Sequence, residues 1–510
     1  MNVIRLFAEQ ARARPEAEAL VEGRGVSRLG VTFGELERRG AEAAGRLVRD
    51  GLKPGDVALV LVPLSVDLYV LVAGILRVGG VVMLVDPGAG REHLAACLQR
   101  RPPDVFIGTP CAHALRIVSR EVRRIPRRYT VGGWVPGAAR WGGGEAAPVA
   151  ELPDEAPALL TFTSGSTGRP KAIVRSHGFL AAQHRALARA LRLGPGQRDL
   201  STLPVFVLAN LASGATSLLP DAELRRPGAI DPGPVLAQIR AEAPTRATAS
   251  PAVYERLLPA ATPADLASLT RLDVGGAPVF PDLLARLSAA APVAEAVAVY
   301  GSSEAEPIAH LSASDLTEAD RAHVASGGGL PAGRPVPDVD LRIVRDAWGT
   351  SLGPFTEAEW DRLGVPMGEP GEIVVAGDHV LAGYLDGEGD AETKVRVGAR
   401  VWHRTGDAGR LDPDGRLWLL GRCSAAVRET SGTLYPLQVE AAAREVAGVR
   451  LGALVPGRRL VAFEGTAEAG DVADALAWAE VEAVRVDRIP LDRRHNAKVD
   501  YPALGSLLAP

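Results

Sequence analysis

Residues 161–177 read TFTSGSTGRPKAIVRSH. An apolar run ends in Thr163, Ser164, Gly165, Ser166, Thr167 and Gly168, and Arg169 and Pro170 then lead to Lys171. Glycines let a backbone approach a phosphate closely, hydroxyls donate to its oxygens, and a lysine adds a compact positive charge. The stretch therefore reads as a buried strand running into a phosphate-binding loop. It is no Walker loop, because the GK[ST] ending is absent and a proline precedes the lysine.

Outward from this stretch the same pattern recurs. Apolar, β-rich runs begin at 57 (VALVLVP), 79 (GGVVMLVDP), 105 (VFIGT), 158 (ALLTFTSG), 271 (RLDVGG) and 296 (AVAVYGSSE), with Ala- and Leu-rich helical stretches between them. Such alternation implies βαβ units and parallel sheets covered on both faces, with ligands at the carboxyl ends of the strands. The expected class is α/β, with a large N-terminal domain of two βαβ-type layered subdomains. After about residue 335, short pieces rich in turn residues, such as GEPGEIVVAGD, add a β-rich subdomain. From 422 a small α+β domain follows, with a helix in LQVEAAAREV and strands in RLVAFEG and EAVRVDRIP. The boundary expected at GRCSA divides the chain into 1–421 and 422–510.

Composition narrows the function classes. A net charge of −4 over 510 residues gives no overall basic footprint for a nucleic-acid partner. Three scattered cysteines form neither a CxxC pair nor a disulfide framework, which fits a reducing cytoplasm. The N-terminal stretch carries charges throughout and lacks the apolar core of a secretory signal. Residues 57–86, the most apolar region, are broken by Pro63, Asp67 and Arg77 before they could span a bilayer, so an integral membrane protein is not expected.

Further motifs follow the phosphate loop in order: GGAPV at 275–279, YGSSEAEP at 300–307, WHRTGDAGRL at 402–411, GRCSA at 421–425 and LDRRHNAKVDY at 491–501. Together they resemble the adenylate-forming superfamily of acyl-CoA synthetases, peptide-synthetase adenylation domains and luciferases. The resemblance covers nearly the whole chain and implies ATP and Mg²⁺ as cofactors. It assigns Gly276, Ala277 and Pro278 to the adenine turn and Tyr300 to stacking on adenine. Gly301, Ser302 and Ser303 then line the nucleotide, with Ser303 reaching the α-phosphate and Glu304 holding Mg²⁺. Asp407 would bond the ribose hydroxyls and Arg422 would contact the nucleotide. The small domain would be mobile, turning about Ser424, where relatives commonly carry Asp or Lys.

The implied first step is attack of a substrate carboxylate on the α-phosphorus of ATP, for which positioning and charge neutralisation are the main requirements. Lys171 and Lys498 are the expected catalytic cations. Only four of the 57 basic residues are lysine, at 53, 171, 394 and 498, and a lysine supplies a mobile point charge where arginine's planar fork would be pinned.

The second step is read from departures. Relatives that make thioesters follow the hinge with Asp, then Lys and a Gly-rich loop. Here Ala425, Arg428 and Ser431 stand instead, and the tail is altered to Asp492, Arg493, Arg494, His495, Asn496, Ala497, Lys498. With VDPGAG at 85–90, LPVFVLAN at 203–210 and LRRPGAIDP at 224–232, these features are similar to the β-lactone synthetases of bacterial olefin and β-lactone biosynthesis. That branch adenylates a long-chain 2-alkyl-3-hydroxy fatty acid and closes it to a β-lactone. The similarity implies an apolar pocket, for which Phe206, Val207 and Asn210 are candidates, and makes His495 a candidate base for the 3-hydroxyl. It also implies partner enzymes of the same lipid pathway. The alternatives are a long-chain fatty acyl-CoA or acyl-carrier-protein ligase and a non-catalytic nucleotide-binding protein.

Overall fold

The VALVLVP run forms the strand Val57–Leu61, buried along its whole length, as a strand covered on both faces must be. In the computed structural model, which describes all residues except 24, 87–88, 165–169, 431, 493–496 and 509–510, this strand sits mid-sheet. The sheet has seven strands, in the order Ala139–Arg140, Arg127–Thr130, Val105–Gly108, Val57–Leu61, Val81–Leu84, Pro157–Ser164, Pro170–Ser176. Neighbours are parallel except the last two, which run antiparallel with Thr163 opposite Lys171. Leu59, Met83, Phe106, Leu160 and Phe162 fill its core. Hydroxyls start the covering helices: Ser65 Oγ accepts from Leu68 N (3.2 Å) at Val66–Arg77, and Ser176 Oγ from Phe179 N (3.1 Å) at His177–Leu191.

A second sheet runs Leu29–Thr32, Glu18–Glu22, Thr216–Leu218, Arg198–Ser201, Arg246–Ala249, parallel except for its first pair. Both sheets lie in the first of two compact units, formed by Met1–Arg225, Gly233–Thr248 and Gly383–Glu388. Here one expectation is corrected. Asn210, on the helix Pro204–Ser213, has no solvent exposure and donates through Nδ2 to Asp199 Oδ2 (2.7 Å) and Ser217 Oγ (3.1 Å). Thr248 Oγ1 donates to the same carboxylate at 3.0 Å. A buried carboxylate is costly without donors, so the Asn210 Nδ2 is taken up in fastening the helix to the sheet, and the residue has no exposed surface to face a substrate. Phe206 and Val207, on that helix, are buried apolar residues.

The second unit comprises Arg226–Pro232, Ala249–Ala382 and Gly389–Pro510. Its main sheet runs Arg271–Gly275, Glu295–Ser302, Ala305–Ser312, Leu330–Pro335, Leu417–Arg422, Arg400–Leu411, Gly371–Ala376, Asp340–Val344, with Lys394–Val397 also paired to Arg400–Leu411. Only the first pair is parallel. The β-rich stretch after 335 is thus no sheet of its own: Leu330–Pro335 pairs on both sides and makes it continuous with the strands from 271.

The strand Leu417–Arg422 gives way to one helical turn at Cys423–Ala425, and the chain then builds around a further core that includes Val427, Leu434, Val439, Leu454, Val461 and Phe463. That part holds the hairpin Val427–Glu429 with Gly432–Leu434, the helix Pro436–Arg444 and a three-stranded sheet of Val449–Leu454, Leu460–Gly465 and Glu482–Arg485. Among the described residues no helix is long and apolar enough to cross a membrane.

Candidate active site

The strand Glu295–Ser302 carries Tyr300 near its end, and Ser303 and Glu304 turn the chain into Ala305–Ser312. Tyr300 donates its hydroxyl to Asp407 Oδ2 at 2.9 Å. Asp407 lies opposite Arg422 in the strand register, and Arg422 Nε stands 3.2 Å from Asp407 Oδ1. Arg422 Nη1 donates to Thr405 O at 3.1 Å. Three residues from three separate motifs therefore meet, Asp407 and Arg422 on paired strands and Tyr300 on a strand further along the same sheet. Each carboxylate oxygen of Asp407 has a second lone pair, so the group can accept from a vicinal diol while it keeps Tyr300 and Arg422 in place. Burial, followed by the Asp407 charge, holds the Tyr300 phenol well above its ordinary value, so it is a donor with a fixed ring at neutral pH.

Gly276 follows the strand Arg271–Gly275 with φ +86°, a conformation that side chains rarely adopt, and no atom lies within 4 Å of where a Cβ would stand. Ala277 and Pro278 continue this turn half-buried. It offers backbone and open space, which is what a flat base needs.

Glu304 is fixed by its main chain. Its carbonyl accepts from Leu381 N at 2.7 Å, and its own N–H donates to Ser302 Oγ at 3.3 Å. The carbonyl of the same Leu381 accepts from the ammonium of Lys394, which is only 8 % exposed and lies 3.0 Å from His403 Nδ1. Burial, and secondarily the Lys394 charge, depresses the His403 imidazole to about 3, so it is neutral and accepts from the lysine. Lys394 thus pins, through Leu381, the segment that holds Glu304. Sequence reading passed over it, although its rarity as one of four lysines was a usable signal. Lys394→Met should raise the KM for Mg-ATP about three- to tenfold while kcat for adenylate formation stays within about twofold, since the loss is of one positioning contact. An unchanged KM in steady-state pyrophosphate release would remove this role.

In the first unit, Lys171 lies on Pro170–Ser176 with its ammonium 5.6 Å from the ring centre of Tyr384, a cation–π contact. Thr163 stands opposite Lys171, one residue before the end of the strand Pro157–Ser164. The expected loop residues Gly165, Ser166, Thr167 and Gly168 lie outside the described residues, as does His495.

The tail is held within the second unit. Lys498 N donates to Asp492 Oδ1 (3.0 Å), Asp492 N donates to Lys498 O (2.8 Å), and Leu491 bridges Val499. Asp500 then caps the helix Tyr501–Leu507 by accepting from Ala503 N at 3.1 Å. Tyr501 donates to Glu440 Oε1 at 2.9 Å, and Leu454 N donates to the same oxygen at 3.1 Å. Burial, and then the neighbouring Glu440, raise the Tyr501 phenol well above its ordinary value, so it is a donor at neutral pH. Ser424 is exposed in the turn Cys423–Ala425.

Burial pushes the Glu440 carboxyl up from 4.5 to about 7. An acid whose pKa is higher folded than unfolded binds its proton more tightly when folded. Its stabilising contribution is therefore complete below the unfolded value and is lost as pH rises through about 7. The loss is on the order of 3 kcal/mol between about pH 4 and pH 8. Glu440→Gln, which keeps the acceptor oxygen, should flatten the fall of Tm over that range. A fall as steep as in the parent protein would show that another group governs it.

The model of the AMP-binding enzyme family matches residues 7–385. The chain belongs to that family. As an AMP-binding enzyme it is an ATP-dependent, adenylate-forming ligase. It is 32 % identical to the olefin beta-lactone synthetase of Stenotrophomonas maltophilia, over 98 % of this chain and 96 % of that one. It is 31 % identical to the olefin beta-lactone synthetase of Xanthomonas campestris over the same shares. Among solved structures, the amide bond synthetase McbA from Marinactinospora thermotolerans shares the fold at a TM-score of 0.81, with 22 % identity over 99 % of this chain and all of that one. Tyr300, Asp407 and Arg422 thus form one hydrogen-bonded cluster in a chain of the AMP-binding enzyme family.

Proposed function

We propose that this enzyme adenylates a long-chain 2-alkyl-3-hydroxy fatty acid and closes the adenylate to a β-lactone. The observation that carries the reading is the near full-length similarity, at 31–32 % identity, to two olefin beta-lactone synthetases. The substitutions Ala425, Arg428 and Ser431 after the hinge support it, because they stand where thioester-forming relatives line a thiol tunnel.

In the first step a substrate carboxylate oxygen attacks the α-phosphorus, and the bond to the bridging oxygen of the β-phosphate breaks to release pyrophosphate. Tyr300 and Gly276 seat the base, Asp407 and Arg422 the ribose, and Ser303 and the loop from Thr163 to Lys171 the phosphates. Lys498 neutralises the charge shared between carboxylate and phosphate as it develops. In the second step the 3-hydroxyl oxygen attacks the acyl carbon, its proton is lost, and the acyl–oxygen bond to AMP breaks. The nucleophile is tethered in the substrate, so a high effective concentration replaces a bound thiol. His495 is the residue we assign as acceptor of that proton, and Ser424 the point about which residues 422–510 turn between the steps.

The donor set fits magnesium in one respect: Glu304 is a single hard carboxylate, and among the described residues no cluster of three acidic, histidine or cysteine side chains could hold a metal alone. An ion carried mainly by the nucleotide's phosphates needs one such ligand. Mg²⁺ bound there would neutralise phosphate charge.

The thiol requirement tests the reading. With ATP, Mg²⁺ and a 2-alkyl-3-hydroxy fatty acid, AMP release should be the same with and without coenzyme A. A dependence on coenzyme A, with an acyl-CoA product, would overturn the reading in favour of a fatty acyl-CoA ligase.

A further inference from the structure

The chain carries a net charge of −4, yet residues 115–141, LRIVSREVRRIPRRYTVGGWVPGAARW, hold seven arginines and a single acid, Glu121. The structure gathers them at one edge of the seven-stranded sheet, where Ala139–Arg140 is the outermost strand, opposite the edge formed by Pro170–Ser176. Arg116 donates to Pro136 O at 2.9 Å, which draws the loop before Ala139–Arg140 against the short helix Leu115–Val118. Arg123 donates to the carbonyls of Arg116 (2.9 Å) and Ile117 (2.6 Å), and Arg128 to that of Arg123 (2.5 Å). These arginines are spent on backbone carbonyls, which leave their charge standing. Among the described residues no acid pairs with Arg123, Arg124, Arg128 or Arg140. Burial, and secondarily the neighbouring Arg128 charge, lower the Arg116 guanidinium below its ordinary value.

The same edge exposes large apolar side chains. Ile117 is 76 % exposed, Trp134 74 % and Val118 54 %. A folded protein does not gather like charges around bare tryptophan and isoleucine for stability, since the charges repel and the apolar surface meets water. An anionic lipid surface answers both features at once, because its headgroups neutralise arginine while tryptophan and aliphatic side chains enter the interface.

We infer that this edge, with Arg120, Arg123, Arg124, Arg140, Ile117 and Trp134 outermost, docks the enzyme on anionic phospholipid membranes. Docking leaves the phosphate-loop edge of the sheet on the opposite side. It also sets the enzyme where amphiphilic acids partition, although the inference does not depend on which acid is adenylated.

The test uses the full chain and sedimentation with lipid vesicles, either of phosphatidylcholine alone or with about one third phosphatidylglycerol. Binding should be confined to the anionic vesicles and weaken at least about tenfold when salt is raised from low to about half-molar, as screening of surface charge requires. Arg120→Glu with Arg124→Glu should weaken it at least about tenfold, and Trp134→Ser about threefold or more, both with unchanged adenylate formation in vesicle-free solution. Equal binding to neutral vesicles, or none to either, overturns the inference. Retention of an acidic protein or of DNA without vesicle binding would overturn it too, and would assign the edge to that polyanion.

Discussion

Replacing Lys498 with alanine should slow adenylate formation by about a hundred- to a thousandfold while the KM for ATP stays within about threefold. The charge is wanted where the carboxylate and the phosphate, both anionic, close on each other, and ground-state ATP already has Arg422, Asp407 and the phosphate loop. The tail is built to deliver that charge: Asp492 holds both the N–H and, through its own N–H, the carbonyl of Lys498. The bridge between Leu491 and Val499 fixes the backbone next to Lys498. Lys498→Arg should restore little of the rate, since a planar fork does not replace a point charge at that distance. The measurement is single-turnover pyrophosphate release at saturating ATP. Equal losses in rate and in ATP affinity would reduce Lys498 to a binding residue.

The largest effect on stability is expected at Glu372. Its carboxylate and the guanidinium of Arg404 are both fully buried, with contacts of 3.0 Å from Nε and 2.6 Å from Nη2. Arg404 also donates to Thr350 O (2.5 Å) and Glu392 O (3.1 Å). It lies on the strand that carries Asp407, so the pair helps to hold that strand in place. Burial raises the Glu372 carboxyl while Arg404 opposes the shift, which shows how far the pair depends on its own partners. Glu372→Ala leaves an uncompensated buried cation and should cost about 3–5 kcal/mol. By thermal unfolding, Tm should fall by several degrees, with loss of activity following unfolding. A change of less than about 1 kcal/mol would mean that water reaches Arg404.

These two residues differ in how well the sequence announced them. Lys498 stands in a motif, and so do Tyr300, Asp407 and Arg422, because chemistry at a nucleotide constrains residue type and order. Arg404 and Glu372 are 32 positions apart and carry no local signal; only the strand pairing of Gly371–Ala376 with Arg400–Leu411 brings them together. Lys394 was visible as a rare lysine, but its purpose depends on Leu381, thirteen residues away, which no pattern links to Glu304. Asn210 went the other way. On an apolar stretch it was a candidate for the lining of the substrate pocket, and the buried Asp199 that claims it comes from a separate strand. The strands were legible because buried parallel strands read as unbroken apolar runs. The continuity of the β-rich part with the sheet from 271 was not, because register is set by tertiary pairing. The basic edge escaped notice because a total charge of −4 averages it away.

In the proposed reaction one carboxylate oxygen passes to AMP and the 3-hydroxyl closes the ring. It is tested most directly by supplying a 2-alkyl-3-hydroxy fatty acid whose carboxyl carries heavy oxygen at both positions and weighing the products of a thiol-free reaction. The account predicts one heavy oxygen in AMP and one in the lactone, at its carbonyl, with the ring oxygen unlabelled. Unlabelled AMP, or a carboxylic acid or thioester in place of the lactone, would contradict it.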